Sequence, residues 1–373
     1  MVNENVKIGI TGQSGFMGKH LANYLLLQEN ISLVPFDKSY FENENDLNQF
    51  VKSCDSIVHL AAMNRHEDPQ VIYDTNVDLT KKLIAACESQ GVTPDMLFSS
   101  STQEAADNHY GRSKKEGGRL LEEWGQKVGA RVVNMVIPNV FGPFGRPYYN
   151  SVVATFCHQL THGEAPNIIN DGNLKLVYIN ELIDDMYQLL TSDKNGKVMI
   201  AHRHEILVSE LAEKLIDYKA SYLDNGKFPM LDTPLDLALF NTYRCYIDHD
   251  HYPVSFTKHT DDRGSFVEIV RANTSGQFSF STTKPGITRG NHFHTRKAER
   301  FAVIKGKAKI SLRKTGTDEV IDYIIDGDNP AYVDMPIWYT HNITNIGEEE
   351  LITLFWINEP YNQEDADTYF VNV

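Results

Sequence analysis

The strongest constraint on the fold is a change in the hydrophobic pattern near Asp248. Before it, short apolar runs alternate with amphipathic stretches of helical period; after it, short alternating runs are separated by Gly, Asn and Asp. The first pattern predicts a parallel sheet between helices, and the second predicts an all-β fold. With 373 residues, two domains are expected. We therefore expect an α/β domain over residues 1–247, a Rossmann-like doubly wound sheet, and an all-β domain over residues 248–373.

A glycine-rich turn, TGQSGFMG, follows the first predicted strand, Val6–Ile10, and precedes an amphipathic stretch from Phe16 to Leu27. Glycines let the backbone approach a pyrophosphate, and the amides at a helix N-terminus donate to it. Strand, turn and helix in this order predict a dinucleotide site. Three spaced glycines alone do not define such a site, but their position after the first strand favours it.

The second predicted strand, Ser32–Phe36, ends at Asp37. An acid here commonly accepts hydrogen bonds from the adenosine ribose of NAD, whereas Lys38 would suit the 2′-phosphate of NADP. The pattern leaves both cofactors open. Further predicted elements are strands Ser56–Leu60 and Met96–Ser99, helices Val71–Ser89 and Ile206–Tyr218, and a mixed region, Ser221–Asp250.

Tyr110 and Lys114 lie four residues apart at the start of another helical pattern. On a helix they are one turn apart on the same side. The ammonium would lower the pKa of the phenol and reach a nicotinamide ribose, and the phenol could then protonate a carbonyl oxygen as hydride arrives at its carbon. Because a surface tyrosine near a lysine is common, this spacing alone does not establish catalysis.

The glycine turn, Ser99–Ser101 after the fourth strand and the Tyr110/Lys114 pair together resemble the extended short-chain dehydrogenase/reductase family, which handles nucleotide-diphosphate sugars. The resemblance implies that Tyr110 is the acid, that Lys114 is its partner and that Ser101 steadies the substrate carbonyl, with Ser100 as the alternative. We expect cofactor contacts from Gly12, Gly15, Phe16, Met17, Gly18, Asp37, Leu60, Ala61, Ala62, Tyr110 and Lys114.

The stretch Pro138–Gly142 resembles the segment after the fifth strand of that family. This places Asn139 near the phosphates of a nucleotide sugar. Relatives often carry arginine where this chain has Ile137, and Arg146 would supply the missing cation. Both Asn139 and Arg146 are therefore predicted to bind substrate.

Two histidines separated by one residue, His292 and His294, would project from the same face of a strand. Glu299 follows after a short turn, and His341 lies in PIWYTHNITN. Three imidazoles and one carboxylate suit a borderline divalent metal such as Zn²⁺. A His-x-His pair also arises by chance on a half-polar strand, but the flanking glycines and the two later ligands favour a metal site.

These stretches resemble the two cupin motifs, which form a small double-stranded β-helix barrel with a metal in its mouth. Trp338 stands where the second motif usually has a glycine. Asp262–Phe266 and Gln277–His294 resemble cupin-fold epimerases that invert centres beside a 4-keto group in deoxysugar nucleotides. In metal-free relatives the histidine matching His292 is the base. If His292 binds metal, the base must be another group, with Lys284, Tyr339 and Tyr323 as candidates.

Four stretches, Tyr149–Cys157, Asp261–Phe266, Lys284–Thr288 and Asp367–Phe370, make the whole chain resemble the CapF-type bifunctional enzymes of capsule and O-antigen synthesis. The resemblance implies a UDP-activated 4-keto-6-deoxy-N-acetylhexosamine as substrate, on a route to UDP-N-acetyl-L-fucosamine. The cupin domain would epimerise C3, and the reductase domain would then reduce C4 with NADPH to the L-talose configuration; Asp37 keeps NADH open. A one-step reductase with a structural or merely sugar-binding cupin is the alternative.

The balance of 35 Lys+Arg against 50 Asp+Glu, a formal charge of −15, argues against nucleic acid or an anionic membrane as a partner. The N-terminus shows no signal-peptide pattern, and no apolar run approaches the ~20 residues of a membrane span. The four cysteines share no metal-binding spacing, which favours free thiols in a reducing cytoplasm. We expect a cytoplasmic homodimer.

Overall fold

The structure is a computed structural model that describes residues 5–262 and 264–373; Arg263, from the stretch Asp262–Phe266, lies outside the described residues. The chain divides into two compact units that are interleaved in sequence. The first unit contains the described residues up to Phe141, Tyr149–Ser151 and Gly172–Ile206, and the second contains Gly142–Tyr148, Val152–Asp171 and Leu207–Val373. The boundary between residues 247 and 248 stays a prediction about the division of function.

Eight α-helices are present in the described chain: α1 (Phe16–Leu25), α2 (Glu44–Lys52), α3 (Pro69–Gln90), α4 (His109–Val128), α5 (Val152–Thr161), α6 (Ile179–Leu190), α7 (Val208–Tyr218) and α8 (Pro234–Arg244). None of them has the length and apolar character needed to cross a bilayer. Short 3₁₀ segments cover Lys38–Glu42, Thr102–Ala105, His249–His251 and Gln363–Asp365, and a π-turn covers Lys219–Leu223.

The first unit is built on a six-stranded parallel sheet. The strands up to residue 207 are β1 (Val6–Thr11), β2 (Ile31–Val34), β3 (Ser56–His59), β4 (Asp95–Ser101), β5 (Val132–Ile137), β6 (Asn139–Phe141), β7 (Asn173–Tyr178), β8 (Gly196–Met199) and β9 (His204–Leu207). The main sheet has the order β2-β1-β3-β4-β5-β8, and β6, β7 and β9 form a second sheet. The chain leaves β1 towards β2 and returns past it to β3, so the topological switch point lies between β1 and β3.

This sheet could be predicted from the sequence because its strands are apolar and buried. Every residue of β3 is buried, and Ile57 packs in one core with Leu83 of α3, Phe98 of β4 and Leu121 of α4. Burying each such side chain stabilises the fold by about 1.5–3 kcal/mol. Helix α3 ends at Gly91, whose φ of 63° is the left-handed C-cap that glycine adopts without strain.

One sequence-based expectation in this region was wrong in detail. Strand β2 ends at Val34, before the expected Phe36, because Pro35 has no N–H to donate to a sheet ladder. Phe36 instead packs edge-on against Phe50. Its neighbour Asp37 caps the following 3₁₀ segment.

The second unit is a mainly antiparallel β region that also contains three of the helices. Its strands are β10 (Lys227–Phe228), β11 (Val254–Ser255), β12 (Lys258–Asp261), β13 (Gly264–Val267), β14 (Arg271–Ala272), β15 (Gln277–Thr283), β16 (Thr288–Phe293), β17 (Glu299–Lys305), β18 (Lys307–Lys314), β19 (Val320–Asp326), β20 (Ala331–Met335), β21 (Tyr339–Asn345), β22 (Leu351–Ile357) and β23 (Tyr369–Phe370). Two five-stranded sheets, β11-β20-β17-β22-β15 and β19-β18-β21-β16-β23, share a core that includes Phe301, Ile310, Val333 and Ile343.

Helix α8 lies in Ser221–Asp250, for which the sequence pattern predicted only a mixed region. Thr233 and Asp236 form a capping box, in which Thr233 Oγ1 accepts from Asp236 N (3.1 Å) and Asp236 Oδ2 accepts from Thr233 N (3.1 Å). Pro234 stands in the first turn, where its missing N–H is harmless. Thr-Pro-x-Asp was therefore the signal for this helix.

Candidate functional site

The loops after β1 and β3 meet at the switch point of the parallel sheet. Leu60 N donates to Thr11 O (3.1 Å), and Ala61 N donates to Thr11 Oγ1 (3.3 Å). Gly12 has a φ of 74°, and a Cβ there would lie 2.9 Å from Ala61 N. The predicted cofactor residues of the two loops, with Ala62 directly following, are thus brought together where a dinucleotide would bind.

Close backbone packing fixes the start of α1 on the glycine turn. A Cβ at Gly18 would lie 2.3 Å from Gly12 O, so only glycine fits there. Gly15 caps the helix without a side-chain hydrogen bond. Phe16 and Met17 form the half-buried first turn. Because the N-cap supplies no side-chain acceptor, the amides of this turn suit a phosphate oxygen.

Asp37 is exposed beyond the end of β2, and its carboxylate accepts from Ser39 N (2.9 Å) and Ser39 Oγ (2.7 Å). These hydrogen bonds, with a smaller contribution from Lys38, hold the pKa of Asp37 below its ordinary value. The side chain is therefore anionic at neutral pH. Such a charge suits a ribose hydroxyl better than a 2′-phosphate.

Lys114 and Tyr110 face the same side of α4, with Lys114 Nζ 5.7 Å from the centre of the Tyr110 ring. Lys114 is only 3% exposed, and its Nζ donates to Ser99 Oγ (3.4 Å). Ser101 Oγ accepts from Gln103 N (3.2 Å), whereas the buried Ser100 donates to a glutamate. Of the three serines, Ser99 is the one in contact with the lysine, and Ser101 caps the turn that follows β4.

The pKa of Tyr110 differs from the sequence-based expectation. Burial, together with the nearby Tyr149, raises it to about 12, whereas the sequence predicted that Lys114 would lower it. Burial also lowers the pKa of Lys114 to about 7, so its positive charge is weakened at neutral pH. Without cofactor, the phenol is firmly protonated and the ammonium is easily lost.

The sequence analysis did not predict several residues whose contacts stabilise the loops around this site. Asn76 of α3 accepts from Met63 N (2.6 Å) and donates to Ser113 Oγ (3.0 Å), which ties the loop after β3 to α4. Tyr149, quoted only as part of a longer stretch, lies beneath the guanidinium of Arg65, 5.6 Å from its ring centre. No spacing rule finds such pairs, because their members are distant in sequence.

The two predicted substrate residues belong to different compact units. Asn139 is exposed at the start of β6, which pairs in parallel with β7 in the first unit. Arg146 is exposed in Gly142–Tyr148, which belongs to the second unit. Their binding of one substrate stays a prediction.

The four predicted metal ligands, His292, His294, Glu299 and His341, form a cluster in the second unit whose candidate ligand atoms all lie within 4.8 Å of one another. His292 on β16 is directly opposite His341 on β21. Glu299 is the first residue of β17, and its Oε2 lies 3.1 Å from His294 Nε2 and 3.2 Å from His341 Nε2. The structure thus brings together residues up to 49 positions apart (341 − 292).

Hydrogen bonds around the cluster orient the imidazoles towards a common point. His294 Nδ1 donates to Asp367 O (2.5 Å), and His341 Nδ1 donates to Tyr339 O (3.1 Å), so both Nε2 atoms face Glu299 Oε2, to which His294 Nε2 donates (3.1 Å). His341 Nε2 is buried without a hydrogen-bond partner among the described residues. A buried nitrogen lone pair beside a carboxylate is poorly satisfied unless a cation lies between them. This donor set therefore fits a metal such as Zn²⁺.

The electrostatics of the cluster agree with a site for a cation. Burial lowers the pKa of His292 to about 4. Burial would also lower the pKa of His294, but its hydrogen bond to Glu299 outweighs this and raises it, so a metal would have to displace the proton on Nε2. Burial would raise the pKa of Glu299, but His294 and His341 outweigh this and hold it well below its ordinary value. A neutral imidazole and an ionised carboxylate are the forms that bind metal.

Two residues in left-handed backbone conformation shape this cluster. Asn291 has a φ of 62° at a β-bulge that precedes His292. Trp338 also has a φ of 62°, a conformation that favours glycine, the residue expected here from the cupin motif. Its N donates to His294 O (2.8 Å), and its ring stacks on Phe293 at 5.4 Å. The turn before His341 therefore forms despite the bulky residue.

The candidates for the epimerase base are not equally suited to that role. Burial raises the pKa of Tyr323 to about 12 and that of Tyr339 further. Tyr323 donates to His249 O (3.1 Å), and Tyr339 shares a hydrogen bond with His249 Nε2 (3.2 Å). Lys284 is exposed at the end of β15. Both phenols are therefore protonated at neutral pH in this state.

Comparison with known proteins identifies the protein family to which the chain belongs. The family model described as NAD dependent epimerase/dehydratase family matches residues 8–201, and the one described as Polysaccharide biosynthesis C-terminal domain matches residues 259–369. A curated relative, UDP-2-acetamido-2,6-beta-L-arabino-hexul-4-ose reductase of Pseudomonas aeruginosa, is 35% identical over 372 residues, 99% of each chain.

Solved structures give the same result over the whole length. The capsular polysaccharide assembling protein CapF from Staphylococcus aureus is 33% identical, with a TM-score of 0.62 over 98% of this chain and 100% of that one. A structure of CapF with the inhibitor 3-isopropenyl-tropolone is 30% identical, with a TM-score of 0.60 over 99% and 100%. The chain therefore belongs to the NAD dependent epimerase/dehydratase family, as a CapF-type protein. Membership implies an NAD(P)-dependent oxidoreductase, and the predicted fold class is confirmed.

Proposed function

We propose that the chain is a bifunctional nucleotide-sugar enzyme of capsule or O-antigen synthesis. The second unit epimerises C3 of a UDP-2-acetamido-2,6-dideoxy-4-hexulose, and the first unit reduces the C4 ketone to UDP-2-acetamido-2,6-dideoxy-L-talose. The observation that carries this proposal is the full-length relationship to a reductase named for a UDP-hexulose. The reductase residues and the His/Glu cluster in one chain support it.

The reduction step rests on α4 and the glycine turn. Tyr110 donates its phenolic proton to the C4 oxygen as hydride from the reduced nicotinamide reaches C4. Lys114, next to Ser99, restores positive charge near the phenol once cofactor and substrate supply partners for it. Ser101 holds the carbonyl oxygen. NADPH is the expected cofactor, and the anionic Asp37 supports acceptance of NADH as well.

The epimerisation step rests on the His292, His294, Glu299 and His341 cluster, which we propose to bind Zn²⁺. A bound metal would supply Lewis-acid stabilisation of charge on the substrate oxygen. Loss of the C3 proton is favoured because the carbanion is delocalised into the 4-keto group as an enolate. Once C4 is reduced, C3 is no longer acidic, so epimerisation precedes reduction.

Deuterium exchange tests this division of labour. In D₂O without reduced cofactor, wild-type protein should introduce deuterium at C3 of the UDP-4-keto sugar, measured by mass spectrometry. Tyr110→Phe should exchange normally but oxidise NADPH at least a hundredfold more slowly. His341→Ala should lose the exchange. If His341→Ala exchanged C3 at the wild-type rate, the His/Glu cluster would not be required for the epimerisation.

A one-step reductase remains the second candidate, because the P. aeruginosa relative is named only as a reductase. In that case wild-type protein would consume NADPH without any C3 exchange. The cytoplasmic location and the homodimer stay predictions, and sedimentation of the purified chain tests the latter.

A further inference from the structure

The C-terminal segment, residues 366–373, is fastened to the strands that carry the clustered histidines. Strand β23 pairs antiparallel with β16, so that Phe370 lies opposite His292. Thr340, next to His341 on β21, donates its hydroxyl to the carbonyl of Val371. The C-terminal segment therefore lies against both strands, β16 and β21, that carry clustered histidines.

Within this segment Asp367 accepts hydrogen bonds through both its backbone and its side chain, and it is 6% exposed. Its carbonyl oxygen accepts from His294 Nδ1 (2.5 Å). Its carboxylate accepts from Thr295 N (3.0 Å) and Thr295 Oγ1 (2.7 Å) through one oxygen, and from Arg296 N (3.0 Å) and Lys297 N (3.1 Å) through the other. One residue therefore holds an imidazole and the turn that follows it.

These contacts explain an unfavourable backbone. Asp367 has a φ of 42°, a region that residues other than glycine seldom adopt and that costs about 1–3 kcal/mol. The four hydrogen bonds to its carboxylate hold the residue there, which aims its carbonyl at His294. The same bonds fix the turn between His294 and Glu299, so two of the four clustered residues depend on this anchor.

We propose that Asp367 is a positioning residue for the metal centre, an inference that rests on the proposed zinc site. Its carbonyl keeps the imidazole proton on Nδ1 of His294 and leaves Nε2 for the metal, while its carboxylate sets the spacing between His294 and Glu299. Loss of an outer partner of this kind typically weakens metal binding 10–100-fold.

Metal titration of the full-length protein tests the proposal. Wild type, Asp367→Ala and Asp367→Asn are stripped with a chelator and titrated with Zn²⁺ and with Co²⁺, whose visible absorption reports ligand geometry. The matched control is Asp365→Ala, which removes a 64% exposed carboxylate from the same part of the chain that also pairs with Arg296. Melting curves of the metal-free proteins check folding.

Wild type and Asp365→Ala should bind about one equivalent with the same Co²⁺ spectrum. Asp367→Ala should bind 10–100-fold more weakly with an altered spectrum. Asp367→Asn should lie between, because an amide oxygen still accepts from Thr295 but the amide nitrogen cannot accept from Arg296 and Lys297. If Asp367→Ala fails to fold, Asp367→Asn carries the comparison.

Two results would overturn the inference, and each would reject a different part of it. A wild-type protein that binds neither metal rejects the zinc site and the role of Asp367 with it. A wild type that binds metal, with Asp367 variants of unchanged affinity and spectrum, rejects only the positioning role. A lower melting temperature of the metal-free variants with unchanged Co²⁺ binding belongs to the second case, since it shows a purely structural carboxylate.

Discussion

Lys114, which we propose to assist the reduction, lowers the stability of the fold. Its ammonium is buried on α4 beside the Ser99 hydroxyl, and burial lowers its pKa to about 7. A lysine whose pKa is lower in the folded state takes up a proton on unfolding at any pH between that value and its ordinary one. Stability should therefore rise with pH across this window.

Replacing Lys114 with methionine should stabilise the cofactor-free protein while abolishing reduction. At pH 6.5 we expect protection of α4 against unfolding to increase by roughly 1–3 kcal/mol, because the desolvated charge is removed. The gain should shrink towards pH 9.5. Hydrogen–deuterium exchange of peptides from α4 measures this locally, with the exposed neighbour Lys115→Met as the control. A less stable Lys114→Met protein at pH 6.5 would contradict the argument.

At the scale of elements, the start of α1 depends on backbone contact rather than on side chains. Because a Cβ at Gly18 would meet Gly12 O at 2.3 Å, Gly18→Ala must push the helix away from the glycine turn. We expect the dissociation constant for NADPH, measured by fluorescence titration, to increase at least tenfold. Gly172→Ala, where an added Cβ meets nothing within 4 Å, should bind normally. Equal affinity of the two variants would exclude this packing role.

Elements that bury apolar runs were predictable, and contacts between distant residues were not. Strand β3 is buried along its whole length, so its apolar sequence identified it. Helix α8 was not predicted, because its clearest sequence signal is a capping box and not an apolar period. The positions of Asn76 and Asp367 depend on partners 37 and about 70 residues away, and no local pattern contains that information. A strand period was enough to predict that His292 and His294 share a face, whereas Glu299 and His341 were joined to them through the resemblance to the cupin motifs. That the four residues bind metal stays a prediction.

For the whole molecule, the proposed steps occur in series on two sets of residues. Tyr110→Phe retains the His/Glu cluster, and His341→Ala retains the reductase residues. Neither variant alone should form the reduced sugar at more than a few per cent of the wild-type rate. An equimolar mixture of the two full-length variants should recover product after a lag, since the epimerised ketone can diffuse from one protein to the other. Chromatography of the UDP-sugars follows this, and a mixture as inactive as its components would contradict free transfer of the intermediate.

The interleaving of the two units also limits how a gene for such a protein can be cut and joined. Helix α8 precedes residue 247, yet Arg244 donates to Met335 O (2.9 Å) and Asn241 donates to Arg296 O (2.7 Å) in the second unit. A single crossover after residue 247 would separate α5, α7 and α8 from the strands with which they cluster. Exchange of intact halves between homologous genes therefore requires several joints at once, near residues 141, 149, 151, 171 and 206. Homologous genes are therefore expected to retain both units together, without exchange of one unit alone.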